Sequence, residues 1–68
     1  MINILFQAKV KAGREDEFHD FAAQLTKSTR EEDDGCITFA FHQSVEDPGR
    51  FFVYEQWRDE AAANGHFA

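Results

Sequence analysis

Covalent staples are nearly absent from this sequence. Cys36 is its one cysteine, so no intrachain disulfide can form. No CxxC or HxxxH pair marks a structural zinc. His19, His42 and His66 stand 23 and 24 residues apart, a spacing that matches no ligand motif, so no metal site is expected. Positive charge is also scarce: 7 Lys and Arg face 13 Asp and Glu, for a net charge of −6. A phosphate backbone is repelled by such a surface, and no basic cluster surrounds the aromatics as RNA binding requires. Polybasic membrane attachment fails for the same reason. No run approaches the ~20 apolar residues of a membrane span. The opening MINILFQAKV is too short for an anchor and precedes no cleavage site. A cytoplasmic protein with no nucleic-acid and no membrane partner is the expectation, in keeping with the lone cysteine. A chain of 68 residues makes a single domain, 1–68. A domain of this size buries only about 60% of the surface its unfolded chain exposes. With no staple available, oligomerisation is the expected aid.

What is present is patterned. Residues 2–10 alternate, with Ile2, Ile4, Phe6, Ala8 and Val10 on one face, which is the period of a strand. Gly13 breaks it. From about Arg14 to Asp33, Phe18, Phe21, Ala22, Leu25 and Thr29 recur at helical spacing. Glu15, Asp16 and Glu17 suit the first turn of that helix, and Gly35 suits its end. Residues 36–43 form a second strand, with Ile37, Phe39 and Phe41 on one face and Cys36, Thr38, Ala40 and His42 on the other. Asp47-Pro48-Gly49 is turn chemistry, and residues 51–57 complete a hairpin. Asp59 caps a second helix that begins at Glu60. The order β-α-β-β-α, with a right-handed crossover and strand three between strands one and two, is a ferredoxin-like α+β sheet that lacks its fourth strand.

Strand three is bulky on both faces, with Phe51, Val53 and Trp57 on one and Phe52 and Tyr54 on the other. Helices cover one side of such a sheet, and the other needs a second cover. A homodimer through the open face is expected, using Phe39, Phe41, Phe52 and Tyr54.

The local wording resembles the antibiotic-biosynthesis monooxygenase family, within the dimeric α+β barrels. The resemblance spans essentially the whole chain. It rests on Val10 to Phe18, the Asp34-Gly35-Cys36-Ile37 entry to strand two, Glu46 to Phe51, and above all Tyr54-Glu55-Gln56-Trp57-Arg58-Asp59-Glu60-Ala61 with His66 following. It implies homodimers with sheets packed face to face and a pocket between each sheet and its helices. It also implies activities ranging from cofactor-free oxygenation to haem degradation. The sequence departs from the family in stopping before the usual fourth strand and in having Ala63 where leucine is usual. It reads as a shortened member or as a piece of a longer chain. Haem-degrading relatives carry an asparagine in strand one, where this chain has Phe6, so neither haem nor another cofactor is expected.

His66 is the first candidate catalytic group, because imidazole titrates near neutral pH and can take a proton from a phenolic or enolic substrate. The plain alternative is a helix-terminal histidine. His42, among small neighbours, is the second candidate, against a polar residue at a strand end. Trp57 is either a core aromatic or a pocket wall that stacks on a planar substrate. Phe6 is the other expected wall. Glu55 either pairs with Arg58 or Arg50, the favoured reading, or acts as a buried base. The acidic run Glu31-Glu32-Asp33-Asp34 reads as a solvated helix end. Taken with the resemblance, these residues imply a cofactor-independent monooxygenase-like enzyme for a small aromatic or quinol-type substrate. The alternative is a non-catalytic dimeric module that binds a small ligand or assembles.

Overall fold

The computed structural model describes residues 1–67. The elements follow the expected order: β1 Ile2–Lys9, α1 Glu15–Glu32, β2 Cys36–Gln43, β3 Arg50–Trp57 and α2 Glu60–Phe67. The three strands lie in the order β1-β3-β2, and both pairings are antiparallel. β1 and β2 therefore run the same way with β3 inserted between them, joined through α1 as a split β-α-β unit.

Local chemistry sets the boundaries. Gly13 at φ 89° turns the chain out of β1, and its N–H donates to Glu15 Oε1 at 2.7 Å. Three acids follow in the first turn of α1, where the unpaired N–H groups favour negative charge. Asp59 caps α2, its Oδ1 accepting the Ala62 N–H at 2.9 Å.

Strand parity divides the sheet. Phe51, Val53, Glu55 and Trp57 of β3 turn toward the helices and are buried. Phe39, Val53, Trp57 and Ala63 form the core, with Ile2, Ile4, Leu25, Cys36, Phe41 and Ala62 packed against them. Phe18 joins α1 to the sheet, its ring 4.7 Å from Phe51 and 5.9 Å from Phe41.

Two expectations about the faces are corrected. The β2–β3 register shifts between Cys36 and Thr38. The extra residue changes the parity, so Cys36 joins the core side and Ile37 is left 53% exposed. Cys36 is thus not a small neighbour of His42. Nor do Phe39 and Phe41 belong to the open face. Phe39 is 2% exposed and packs beneath the helices, with Phe41 against the same core. The open face keeps Leu5, Phe52 and Tyr54, interleaved with a polar ladder. Thr38 Oγ1 donates to Gln56 Oε1 at 2.6 Å, and Gln56 Nε2 and Tyr54 Oη both donate to Asn3 Oδ1, at 3.1 and 3.0 Å. Among the described residues, no helix is long and apolar enough to cross a membrane.

Candidate functional site

The site begins at the turn after α1. Gly35 adopts φ 83°, and a Cβ built there would stand 2.6 Å from Ala62 Cβ. Glycine is therefore required twice, by the backbone and by the close approach of α2. The Gly35 carbonyl accepts the Arg58 N–H at 2.8 Å, which fixes the exit from β3 against the same turn. Ala62 and His66 are four residues apart and share one face of α2. With Ala62 against Gly35, His66 comes to lie beside Asp33. Its Nδ1 is 2.5 Å from Asp33 Oδ2.

The imidazole is enclosed by rings. Trp57 lies 4.9 Å away at an interplanar angle of 35°, Phe39 at 5.4 Å and Phe67 at 4.9 Å. The His66 side chain is 13% exposed. Beneath it Trp57 is fully buried, and its indole N–H donates to Glu55 Oε1 at 3.0 Å.

Glu55 departs from the expected ion pair. Its position on β3 turns it inward, whereas Arg50 has the opposite parity and Arg58 lies beyond the strand. Arg58 bonds Asp34 and Asp59, both at 3.3 Å, and Arg50 bonds Gln7 at 3.0 Å. The partner of Glu55 is the Trp57 indole. Burial pushes the Cys36 thiol up, and the Asp33 charge adds to the effect, so Cys36 remains a packed thiol.

His66, Trp57 and Glu55 thus form one cluster. Phe6 joins it at one remove, its ring 5.9 Å from Phe67. Phe6 is 46% exposed and Phe67 54%. Next to Phe6 on the helix-facing side of β1, a cleft of about 430 Å³ opens against α1, lined by Ala8, Val10, Phe18 and Phe21 among others. A second cleft, of about 410 Å³, borders His66 itself, with Asp33, Arg58, Ala62 and Gly65. His42 is not part of the cluster. It lines a separate cleft of about 620 Å³ between α1 and the outer edge of β2, with His19, Lys27 and Arg30. Sequence reasoning missed Asp33, because an acid in a run of four at a helix end resembles solvated charge.

A split β-α-β sheet with both helices on one face and the other face open defines a ferredoxin-like α+β domain. The chain belongs to the antibiotic biosynthesis monooxygenase family, whose model matches residues 1–68. Uncharacterized protein sll1783 of Synechocystis is 32% identical over 59 residues, covering 87% of this chain and 40% of that protein. A crystal structure of an antibiotic biosynthesis monooxygenase matches with a TM-score of 0.92 and 28% identity, over 100% of this chain and 70% of the other. A structure from Deinococcus radiodurans, proposed to be such an enzyme, gives 0.93 at 22% identity over 100% of this chain and 66% of its own, a likeness of fold alone. The chain thus spans less than half of the Synechocystis relative and about two thirds of the Deinococcus one.

Proposed function

We propose that this domain is a cofactor-independent monooxygenase that oxidises a small aromatic or quinol-type substrate and works as a homodimer. One observation carries the reading: an imidazole 13% exposed is walled by Trp57, Phe39 and Phe67. In this chemistry the deprotonated substrate supplies electrons to oxygen, and the protein supplies a dry aromatic surface and a proton acceptor. His66 is the acceptor. Phe6 and Phe67 are the exposed walls, and Trp57 with Glu55 forms the floor that holds the imidazole. His42 stands apart as a second polar group. The dimer is assigned to the open sheet face through Leu5, Phe52 and Tyr54.

The test is oxygen uptake over a panel of phenols and quinols first ranked by thermal shift. His66→Ala is expected to lower turnover by about 10²-fold or more, the range for loss of a general base. Full activity in that variant excludes His66 as the acceptor and shifts the role to His42. A second reading, a non-catalytic dimeric ligand-binding module, is favoured by the complete burial of Trp57, which offers no free ring face to a substrate. Ligand-induced stabilisation without oxygen uptake by any ligand supports that reading.

A further inference from the structure

We propose that Asp33 is the positioning residue of His66, fixing the imidazole as the Nδ1–H tautomer so that its lone pair sits on Nε2. The inference deepens the reading of His66 as proton acceptor and rests on it for its catalytic meaning. The bond itself sets the tautomer. Nδ1 and Asp33 Oδ2 are 2.5 Å apart, and two lone pairs cannot share that distance without a proton between them. An ionised carboxylate only accepts, so the proton belongs to Nδ1. A neutral ring then has its free lone pair on Nε2, because the bond made by one ring nitrogen decides the state of the other.

The surroundings hold Asp33 in this role. It is the C-cap residue of α1, and its N–H donates to the Thr29 carbonyl at 3.1 Å. Thr29 is 2% exposed, so the bond is anchored in packed structure. The Asp33 carbonyl in turn accepts the Cys36 N–H at 3.4 Å, tying the residue to the start of β2. Arg58, the cation lining the same cleft, is engaged by Asp34 and Asp59. Glu32 and Asp34 complete the charged lining. Among the described residues, His66 is therefore the one side chain that bonds the Asp33 carboxylate. On the imidazole, Trp57 and Phe39 fix the ring plane while Asp33 fixes its rotation about that plane. In the proton step a substrate O–H bond breaks and an Nε2–H bond forms. The electron pair stays on the substrate oxygen, and the imidazolium charge is offset by the Asp33 carboxylate. A buried carboxylate plays this role behind other imidazole bases; Asp33 plays it from a half-buried position, its side chain 33% exposed.

The test is a long-range proton–nitrogen correlation spectrum of ¹⁵N-labelled protein at a pH where the ring is neutral. His66 is expected to show a protonated Nδ1 and a bare Nε2. Asp33→Asn and Asp33→Ala should shift His66 toward the Nε2–H pattern while His19 and His42 stay unchanged. A wild-type His66 with Nε2–H, or a pattern unmoved by either substitution in a protein that keeps its amide spectrum, overturns the proposal. If Asp33→Ala does not fold, the wild-type spectrum and the near-isosteric Asp33→Asn decide it. With any phenol that is turned over, Asp33→Asn is expected to lower kcat by about tenfold or more with KM little changed. A kcat equal to wild type removes Asp33 from catalysis. Absence of turnover on every phenol counts against the enzyme reading, and the tautomer result then decides the positioning of the ring on its own.

Discussion

Among the described residues Glu55 has one side-chain partner, the Trp57 indole, and this makes the pair asymmetric. Leaving a buried carboxyl group without its donor costs about 1–3 kcal/mol, and more for the ionised form, whereas exchanging both partners for apolar groups is much cheaper. Trp57→Phe is therefore expected to destabilise by about 2–4 kcal/mol, combining the lost donor with the cavity left by the indole. Glu55→Gln, whose amide oxygen still accepts the indole N–H, is expected to cost clearly less. Trp57→Phe with Glu55→Met should recover part of the single-variant loss. Urea midpoints of the three variants check this ordering. A Glu55→Gln loss equal to that of Trp57→Phe would show that the carboxylate does not depend on the indole. Parity in the sequence was enough to put Val53, Glu55 and Trp57 on one buried face. It could not name the partner of Glu55, because a pair two residues apart along one strand is indistinguishable from two separate contacts until the ring is placed. Asp33 was hidden by its acidic neighbours, since nothing in their spacing tells which carboxylate the end of α2 will reach.

At the scale of elements, the two glycines with positive φ separate a conformational requirement from a packing one. Gly13 has open space around its missing Cβ, while Gly35 meets Ala62. Gly13→Ala is expected to cost about 1–2 kcal/mol, the price of the left-handed region alone. Gly35→Ala adds the clash with α2 and is expected to cost about twice as much or more. It should also part His66 from Asp33, because the same approach of α2 creates both contacts; thermal unfolding together with the His66 nitrogen spectrum tests the coupling. The other end of the contact titrates. The Ala62 N–H, then the Arg58 guanidinium, hold the Asp59 carboxyl below its ordinary value. A lowered carboxyl contributes stability that is present above its unfolded pKa and is lost as pH falls through the folded one. Asp59→Ala should therefore lower Tm at neutral pH and flatten the acid limb of the Tm profile; an unchanged limb would place the acid sensitivity elsewhere. The elements themselves were legible because period and cap residues agree. The bulge at Cys36 was not, since one extra residue in a strand leaves the composition of CITFAFHQ unchanged while reversing the faces before and after it.

For the molecule as a whole, the two outer edges of the sheet are treated differently. The Ser44 N–H donates to the Arg50 carbonyl, which continues the β2–β3 register. Beyond the bulge, from Thr38 onward, even-numbered residues of β2 therefore point their backbone toward β3 and odd ones outward. The outward Phe39 carbonyl is met by Arg30 Nε at 3.0 Å, so α1 shields that edge. On the other side the Val10 N–H donates to the Gly49 carbonyl at 2.7 Å, continuing the β1–β3 register. By the same alternation, the amides of Ile4, Phe6 and Ala8 point to β3, while those of Asn3, Leu5, Gln7 and Lys9 point away. No described helix or strand hydrogen-bonds to that outer edge, and Lys9 is the only charge along it. An unpaired regular strand is a template for another chain. A homodimer through Leu5, Phe52 and Tyr54 uses the face of the sheet and leaves this edge as it is, so sedimentation equilibrium and hydrogen exchange report different surfaces. Sedimentation is expected to give twice the chain mass at micromolar concentration, and a stable monomer would remove the face-to-face dimer. Exchange is expected to alternate along β1 in the same sample, with Asn3, Leu5, Gln7 and Lys9 fast and Ile4, Phe6 and Ala8 slow. Uniform protection across all seven amides would mean that a second strand lies on the β1 edge, and the vulnerable surface of this fold would then be the face of the sheet alone.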